Sequence, residues 1–256
     1  MISSLSRPCP VIAKANQVCK VNKKQTEKSK GQDIQVVILD CNGETENTDR
    51  EILVQKFGIS LTSEDLERLL PGKWLNDVLI NYYMQLIVKR SQEDLNLPKV
   101  FALDSLFYTQ LEEKGSEALL EQGIWDELDL FFYDLVVVPI YMPGHWSLII
   151  IKMVKSRVVY YDSFHGDGSR SISLIKNFLK EIAVQRGYEA LDPTNWLAMN
   201  KKNIPMQAKT NGNVCGVFVC QYAECVTQGR EIDFSQETMD NLREKMSIEI
   251  RRGELT

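Results

Sequence analysis

The segment Gln207-Ala-Lys-Thr-Asn-Gly-Asn-Val-Cys-Gly-Val-Phe-Val-Cys-Gln-Tyr-Ala-Glu-Cys225 decides the fold and the chemistry of this chain. Its first half is polar and contains Asn-Gly at 211–212, a dipeptide that interrupts helices and strands. Its second half is almost entirely apolar and leads to Gln228-Gly229, as expected for a helix that stops at a glycine. The pattern predicts a turn followed by a buried helix, with Cys215 in the first turn.

Cys215 differs from the other cysteines in its position. Unpaired backbone N–H groups at a helix N-terminus favour a negative charge, and the thiolate is the nucleophilic form of cysteine. Because a turn precedes Cys215 and a glycine follows it, we interpret it as a candidate nucleophile. Cys220 and Cys225 are interpreted as small apolar residues of the buried helix, which is the usual state of a free cysteine.

The composition limits the class of protein. With 256 residues, 44% of them hydrophobic, the chain can form one substantial core, or a core with an appended tail. No apolar run approaches the roughly 18 residues that a membrane span needs. The first residues also lack the apolar core of a secretory signal. We therefore expect a soluble, intracellular protein with reduced thiols and no membrane partner.

Metal and nucleic-acid binding are not expected. Two histidines and six cysteines without a Cys-x-x-Cys pair offer little for a structural zinc site, so no metal or cofactor is predicted. Residues 1–30 carry seven Lys/Arg and one Glu. Because the net charge of the whole chain is −5, the remaining residues have a net charge of about −11. An acidic body argues against nucleic acid as the main partner. Residues 1–34 lack periodicity and are predicted to be a disordered basic tail before a folded domain over 35–256.

Hydrophobic periodicity places helices on both sides of a small group of strands. Helices are predicted over 61–70, 74–88, 100–111, 117–122, 171–185 and 235–252, in addition to the one that begins near Cys215. Strands are predicted over 34–39, 135–141, 145–152, 157–163 and 196–199. Asn76 or Asp77 is the expected cap of the second helix. The layout predicts a single α+β domain.

A catalytic thiol needs a base, and the base needs an acceptor that holds its ring in the right orientation. Only His145 and His165 can be the base. His145 begins a predicted strand, whereas His165 lies in a loop where an exposed histidine needs no further explanation. Asp162 ends the next strand, so neighbouring strands would hold His145 and Asp162 close together on a rigid support. By itself this spacing is a modest signal, since most chains contain one Cys, one His and one Asp.

Further motifs in order along residues 50–256 make the pattern specific. They are Trp74-Leu-Asn-Asp, Phe107-Tyr-Thr-Gln-Leu, Val138-Pro-Ile, His145-Trp-Ser-Leu, Tyr160-Tyr-Asp-Ser, Asn211-Gly-Asn-Val-Cys-Gly-Val-Phe, Tyr222-Ala-Glu-Cys and Met246 with Glu249-Ile250. With these motifs the chain resembles the sentrin/SUMO-specific cysteine proteases of the ubiquitin-like protease family. The resemblance implies a papain-like cysteine protease domain with a central mixed sheet flanked by helices. It implies cleavage after the C-terminal Gly-Gly of SUMO in precursors or conjugates, and a nuclear or cytoplasmic location.

The same resemblance implies roles for individual residues. Cys215 would be the nucleophile, His145 the base and later the acid, and Asp162 the residue that orients the imidazole. Trp74 and Trp146 lie where the family's tryptophans roof a narrow tunnel for the Gly-Gly tail. Glycine suits such a tunnel because it has no side chain to clash with two indole faces.

Two positions depart from the family pattern. The family usually has Asp directly before the cysteine, where this chain has Val214, and Gln six residues before it, where this chain has Lys209. Gln207 could complete the oxyanion hole from a rearranged turn, Lys209 could supply a charge, or the side-chain donor could be missing. The backbone N–H of Cys215 is a donor in every case. Losing one oxyanion donor lowers the rate about 10²–10³-fold without abolishing turnover. Because the nucleophile, the base and the orienting residue are all present, we still expect an active enzyme.

Two other functions are compatible with the sequence. The first is a protease for another ubiquitin-like protein, because sister enzymes share the catalytic motifs. The second is a catalytically weak adaptor that binds a modifier without cleaving it. The altered turn before Cys215 favours the adaptor, and the retained Cys-His-Asp set argues against it.

Overall fold

A computed structural model describes residues 51–188, 190–208 and 212–256. The predicted tail over 1–34, the predicted strand over 34–39 and the domain boundary at 35 lie outside these residues. The strands are β1 (Ile52–Lys56), β2 (Ile59–Thr62), β3 (Val100–Ala102), β4 (Leu135–Met142), β5 (His145–Lys152), β6 (Arg157–Tyr161) and β7 (Leu197–Asn200). The helices are α1 (Ser63–Glu67), α2 (Asp77–Glu93), α3 (Ser105–Leu120), α4 (Ile124–Glu127), α5 (Ser169–Gln185), α6 (Cys215–Thr227) and α7 (Met239–Arg252).

A five-stranded sheet in the order β3-β4-β5-β6-β7 forms the centre of the domain. The three middle strands are antiparallel, whereas β3 runs parallel to β4 and β7 runs parallel to β6. β4 and β5 pair along their whole length, from Leu135 opposite Lys152 to Met142 opposite His145. Helices cover both faces of this mixed sheet, which confirms the predicted α+β class.

The sheet separates two hydrophobic cores because successive side chains on a strand point to opposite faces. On β5, Leu148 and Ile150 belong to the core that contains α2, α6 and α7. Ile149 and Ile151 belong to the core that contains α3 and α5. All residues of α6 except Val226 are buried, which confirms the predicted buried helix. No helix in the described ranges is both long and apolar enough to cross a bilayer.

The structure corrects the helix predicted over 61–70. Leu61 belongs to strand β2, and the helix is only the short α1. Thr62 caps α1 by accepting a hydrogen bond from the backbone N–H of Asp65, whose side chain in turn accepts from the N–H of Thr62. This reciprocal cap fixes the helix start two residues later than predicted.

The predicted helix over 100–111 is also wrong in its first part. Residues Val100–Ala102 form β3, and α3 begins only at Ser105, because Asp104 accepts a hydrogen bond from the N–H of Leu106 and caps the helix there. α3 also includes residues 117–120 of the helix predicted over 117–122, but it ends at Leu120, two residues earlier than predicted. It contains a kink at Gly115, whose φ of 79° is a conformation that favours glycine.

The hairpin formed by β1 and β2 was not predicted. Ile59 and Leu61 contribute to the core beside α2, and the ring of Phe57 packs against Tyr82 at 5.4 Å between centroids. Lys56 Nζ donates a hydrogen bond to the backbone oxygen of Gly253 at 2.8 Å, just after α7. The hairpin therefore belongs to the same folded unit as the C-terminal helix.

Candidate active site

Cys215 is the first residue of α6, as the sequence predicted, and its side chain is fully buried. The backbone N–H groups of this first turn have no partners within the helix, so they place a partial positive charge beside the sulfur. Val214 occupies the N-cap position and is buried in the core. The residue directly before the candidate nucleophile is therefore part of the apolar packing.

Gly216 allows α6 to approach the start of α2. A Cβ atom at this position would lie 3.0 Å from Leu75 Cβ, which is tighter than ordinary van der Waals contact, and 3.4 Å from Ile80 Cδ1. In the Cys-Gly pair, Cys215 thus supplies the candidate nucleophile and Gly216 allows the close packing of α6 against the start of α2. It brings Cys215 next to the segment that contains Trp74 and Leu75.

The structure brings His145 and Asp162 together. His145 is the first residue of β5, and Asp162 follows the last residue of the neighbouring strand β6. His145 Nε2 lies 2.7 Å from Asp162 Oδ1. The Asp162 carboxylate also accepts hydrogen bonds from the N–H groups of Phe164 and Gly166, both at 2.9 Å. Three donors therefore fix the carboxylate that holds the imidazole.

Electrostatics link the histidine to the cysteine. Burial disfavours the charged imidazole, but the hydrogen bond to Asp162 and the interaction with Cys215 outweigh it and raise the pKa of His145 to about 9. Because Nε2 is bound to Asp162, the nitrogen left to interact with the sulfur is Nδ1, which is buried and makes no hydrogen bond within the described residues. The imidazole ring of His145 therefore interacts with Asp162 and with Cys215. With a pKa of about 9, it is in its positively charged form at neutral pH.

The pKa of Asp162 moves in the opposite direction. Burial raises the pKa of this carboxyl, but the hydrogen bonds from His145 and from the N–H groups of Phe164 and Gly166 lower it below its ordinary value. Asp162 is therefore a carboxylate at neutral pH and can stabilise the imidazolium.

His165, the other histidine of the sequence, lies elsewhere. Its Nε2 is 3.1 Å from the backbone oxygen of Ile204, and its own backbone oxygen accepts a hydrogen bond from Lys202. This loop position agrees with the interpretation from the sequence.

The two tryptophans predicted to bind substrate have different environments. Trp74 is 41% exposed, and a Cβ atom on Gly212 would lie 3.8 Å from its Cζ2 atom. Trp146 is only 3% exposed, packs against Tyr141 at 4.9 Å between ring centroids, and donates to the backbone oxygen of Leu75 at 3.2 Å. Trp74 thus presents a surface beside the turn before Cys215, while Trp146 supports the backbone next to Trp74.

Gln207 is buried beside the residue that follows Asp162. Its Oε1 accepts a hydrogen bond from the Ser163 hydroxyl at 3.0 Å, and its backbone N–H donates to the Ser163 backbone oxygen at 2.9 Å. Lys209, the alternative donor, lies outside the described residues. The structure therefore provides a defined position for Gln207 only.

Three contributors to the site were not found in the sequence. Ser163 holds Gln207, the ring of Phe164 lies 5.1 Å from that of His145, and Arg243 on α7 is buried while donating hydrogen bonds to four backbone oxygens. The motif Tyr-Tyr-Asp-Ser contains Ser163, but it does not reveal the partner of that serine. In the ranges that the structure covers, no group of three or more His, Cys, Asp and Glu side chains could hold a metal ion.

A cysteine, a histidine and an aspartate linked in this way on an α+β fold form the type of site found in cysteine hydrolases. The family model described as the Ulp1 protease family, C-terminal catalytic domain, matches residues 73–254. The chain belongs to this family.

Named relatives agree with the family. A sentrin-specific protease of Caenorhabditis elegans is 31% identical over 201 residues, which cover 78% of this chain and 28% of that protein. Sentrin-specific protease 2 of Rattus norvegicus is 32% identical over 206 residues, which cover 80% of this chain and 34% of that protein. The chain therefore spans about a third or less of the length of these relatives.

Solved structures share the fold. The C-terminal Ulp1 protease domain in complex with Smt3, the yeast orthologue of SUMO, aligns with a TM-score of 0.68 and 23% identity, covering 81% of this chain and 90% of that chain. The SUMO protease Ulp1 with its catalytic cysteine oxidised to a sulfenic acid aligns with a TM-score of 0.65 and 25% identity, covering 78% of this chain and 88% of that chain. The architecture of the described domain is thus that of the Ulp1 protease domain.

Proposed function

We propose that this chain is a thiol protease that hydrolyses the peptide or isopeptide bond after the C-terminal Gly-Gly of SUMO. The observation that carries the proposal is the position of His145 between Asp162 and Cys215 in a member of the Ulp1 family. The names of the relatives, which refer to sentrin, and the Smt3 complex of the Ulp1 domain support SUMO as the modifier. Maturation of precursors and deconjugation of substrates use the same chemistry.

The first half of the reaction forms a thioester. The His145 imidazole, whose pKa is raised to about 9, takes the proton of the Cys215 thiol and holds it for the leaving amine. The sulfur attacks the carbonyl carbon of the terminal glycine, and the carbonyl electrons move to its oxygen. The backbone N–H of Cys215 and the carboxamide of Gln207 donate hydrogen bonds to this oxyanion. When the intermediate collapses, the C–N bond breaks and His145 gives its proton to the leaving amine.

The second half releases the modifier. His145, now neutral, takes a proton from a water molecule as the water oxygen attacks the thioester carbon. The C–S bond then breaks, which yields a free glycine carboxyl group and restores the thiolate and imidazolium pair. Asp162 remains ionised and holds the ring through both steps, since hydrogen bonds keep its pKa low.

The residues around the Cys215 sulfur favour a substrate whose cleaved end is narrow. The Cys215 side chain is fully buried, while the indole of Trp74 is 41% exposed beside the turn that leads to it. A path to a buried sulfur beside an indole favours residues without side chains, as in a Gly-Gly tail. We propose that Trp74 forms one wall of this path and that Trp146, held by the Leu75 oxygen, supports it.

A panel of ubiquitin-like precursors tests the proposal. Purified wild-type chain is expected to trim a SUMO precursor after Gly-Gly, and a Cys215→Ala chain is expected to bind the modifier without cleaving it. Trimming of a different modifier would favour the protease for another ubiquitin-like protein. Binding without cleavage by the wild-type chain would favour the adaptor, for which the apolar Val214 before Cys215 is the supporting observation. Nuclear or cytoplasmic location stays a prediction that microscopy of a tagged chain would test.

A further inference from the structure

Phe164 is an exposed aromatic residue beside the base. Its side chain is 41% exposed, and it belongs to neither of the two hydrophobic cores. Within the described residues, the one aromatic ring that it contacts is that of His145, at 5.1 Å between ring centroids. Burial alone does not account for a phenylalanine at this position, since a ring that stays largely in water gains little from the hydrophobic effect.

The same residue also contacts the carboxylate that binds the base. Phe164 lies in the turn after β6, where the N–H of His165 donates a hydrogen bond to the backbone oxygen of Asp162 at 2.9 Å. The N–H of Phe164 donates to Asp162 Oδ1 at 2.9 Å, and this is the oxygen that lies 2.7 Å from His145 Nε2. The backbone of Phe164 thus fixes the acceptor of the imidazole, while its side chain packs beside the imidazole itself.

The hydrogen bond to Asp162 does not by itself fix the plane of the imidazole. The χ2 torsion of histidine is broad, so its value depends on contacts rather than on rotamer preference. Nε2 lies nearer to the axis of the Cβ–Cγ bond than Nδ1 does, so rotation about this bond moves Nδ1 further than Nε2. Nδ1 is the nitrogen left for Cys215, because Asp162 holds Nε2. A rotation that the bond to Asp162 tolerates would therefore still displace the proton that the reaction transfers.

The ring of Phe164 opposes that rotation. Its plane is inclined by 32° to that of the imidazole, nearer to parallel than to perpendicular. The centroid distance of 5.1 Å falls within the range of about 4.5–7 Å for favourable aromatic pairs. His145 is also positively charged at neutral pH, and the face of an aromatic ring attracts a cation within about 6 Å. Both effects favour the imidazole orientation that the structure shows.

We propose that Phe164 is a positioning residue of the base: its ring stacks on the His145 imidazole and holds the plane in which Nδ1 can exchange a proton with Cys215. The inference rests on the proposed function and extends it to a residue outside the Cys-His-Asp set. A base held in one orientation transfers protons more effectively than a base that rotates. Because the Phe164 ring is largely exposed, its effect on catalysis can be separated from an effect on folding.

The variant Phe164→Ala tests the proposal, because it removes the ring and keeps the backbone N–H that binds Asp162. We expect kcat for cleavage of a SUMO precursor to fall about tenfold, the upper end of the effect of one aromatic pair, with KM unchanged. Phe164→Tyr keeps a ring and should retain most of kcat, whereas Phe164→Leu keeps only apolar bulk and should not. A wild-type kcat in Phe164→Ala, or equal kcat in the Tyr and Leu variants, would overturn the inference. A raised KM with unchanged kcat would also overturn it, because Phe164 would then be a substrate contact.

The control is Phe132→Ala, which removes another exposed phenylalanine, 58% exposed and 6.1 Å from the Tyr133 ring between centroids. Phe132 precedes the first residue of β4, whereas His145 pairs with the last residue of that strand. Phe132→Ala should keep the wild-type kcat. A loss equal to that of Phe164→Ala would show that the effect is not specific to the base and would overturn the inference. If Phe164→Ala did not fold, the comparison of Phe164→Tyr with Phe164→Leu would decide.

A second measurement is independent of turnover. The sequence contains two histidines, so in an untagged His165→Gln chain the remaining imidazole signal belongs to His145. In ¹³C-labelled protein, NMR relaxation should show an ordered imidazole when Phe164 is present and a more mobile one after Phe164→Ala. Identical mobility in the two proteins would overturn the role of Phe164 even if the wild-type chain cleaved no modifier. Failure of the whole precursor panel with an imidazole that Phe164 orders would instead contradict the proposed function alone.

Discussion

Arg243 Nη2 donates a hydrogen bond at 2.8 Å to the backbone oxygen of Asn213, two residues before Cys215. The same nitrogen donates to the backbone oxygen of Lys73 at 2.7 Å, directly before Trp74. One buried guanidinium on the last helix thus joins the segment that presents the candidate nucleophile to the segment that presents the exposed tryptophan. Its rigid fork of donors suits this task better than a single ammonium group would.

Replacing Arg243 with Met should strongly destabilise the domain. Nη1 also donates to the backbone oxygens of Arg68 and Leu70, so the variant leaves four carbonyl groups without this donor. Unsatisfied buried polar groups cost about 1–3 kcal/mol each, and we expect the free energy of unfolding to fall by at least about 3 kcal/mol in urea titrations. The matched control is Arg251→Met on the exposed side of the same helix. Equal stability of the two variants would contradict the role of Arg243.

Gly166→Ala should disturb the base without changing any catalytic side chain. A Cβ atom at this position would lie 2.3 Å from Asp162 Oδ2, so the carboxylate or the loop must move. A displacement of about 1 Å can cost about 10²-fold in rate, and we expect a loss of that order in kcat/KM. Ser173→Ala, exposed on α5, serves as the control. Wild-type kcat/KM in Gly166→Ala would show that the position of Asp162 is not critical.

The pH dependence of cleavage should reflect the imidazole. The pKa of His145 is raised to about 9, so the ring is protonated below that pH and loses its proton above it. Since the protonated ring must give its proton to the leaving amine, kcat/KM should decline as the pH rises through about 9. Asp162→Asn keeps an acceptor for the His145 ring but removes the negative charge and weakens the hydrogen bond that raise this pKa, so the decline should move to lower pH. If kcat/KM of Asp162→Asn declined at the same pH as that of the wild type, Asp162 would not be the group that raises the pKa of His145.

Substitutions of the two tryptophans should separate binding from stability. Trp74→Ala removes an indole that is 41% exposed, so KM for a SUMO precursor should rise while the thermal midpoint changes little. Trp146→Ala removes a buried ring and its bond to the Leu75 oxygen, and Phe/Trp→Ala in a core costs about 3–5 kcal/mol. Kinetics and thermal unfolding of both variants would check this. The opposite pattern would place Trp146 at the substrate and Trp74 in a structural role.

Regular patterns in the sequence predicted most elements of the sheet and the buried helix. The strands that begin at Leu135, His145 and Arg157 were predictable because runs of β-branched and aromatic residues are separated by turn-length gaps. Asn76 was correctly named among the possible caps, since its side chain accepts a hydrogen bond from the N–H of Leu79. The short strand at Val100–Ala102 was missed because three apolar residues before a helix do not distinguish a strand from a first helical turn.

The site was only partly predictable, because a local sequence pattern does not show which distant residues the fold brings together. A nucleophile, a base and a carboxylate have residue types that suggest chemistry, so Cys215, His145 and Asp162 could be named as candidates. Ser163 and Arg243 have common residue types, and their roles depend on backbone oxygens and an amide brought near by the fold. No local pattern encodes a contact between residues 163 and 207 or between residues 213 and 243.

Covalent capture tests the central claim most directly. The wild-type chain is incubated with SUMO that carries an electrophile in place of its C-terminal carboxyl group, and the adduct is located by peptide mapping. The account predicts one adduct, on Cys215, that is absent in Cys215→Ala and formed far more slowly in His145→Ala, because the imidazolium stabilises the thiolate. Reversible binding without an adduct, or an adduct on Cys220 or Cys225 instead, would contradict it.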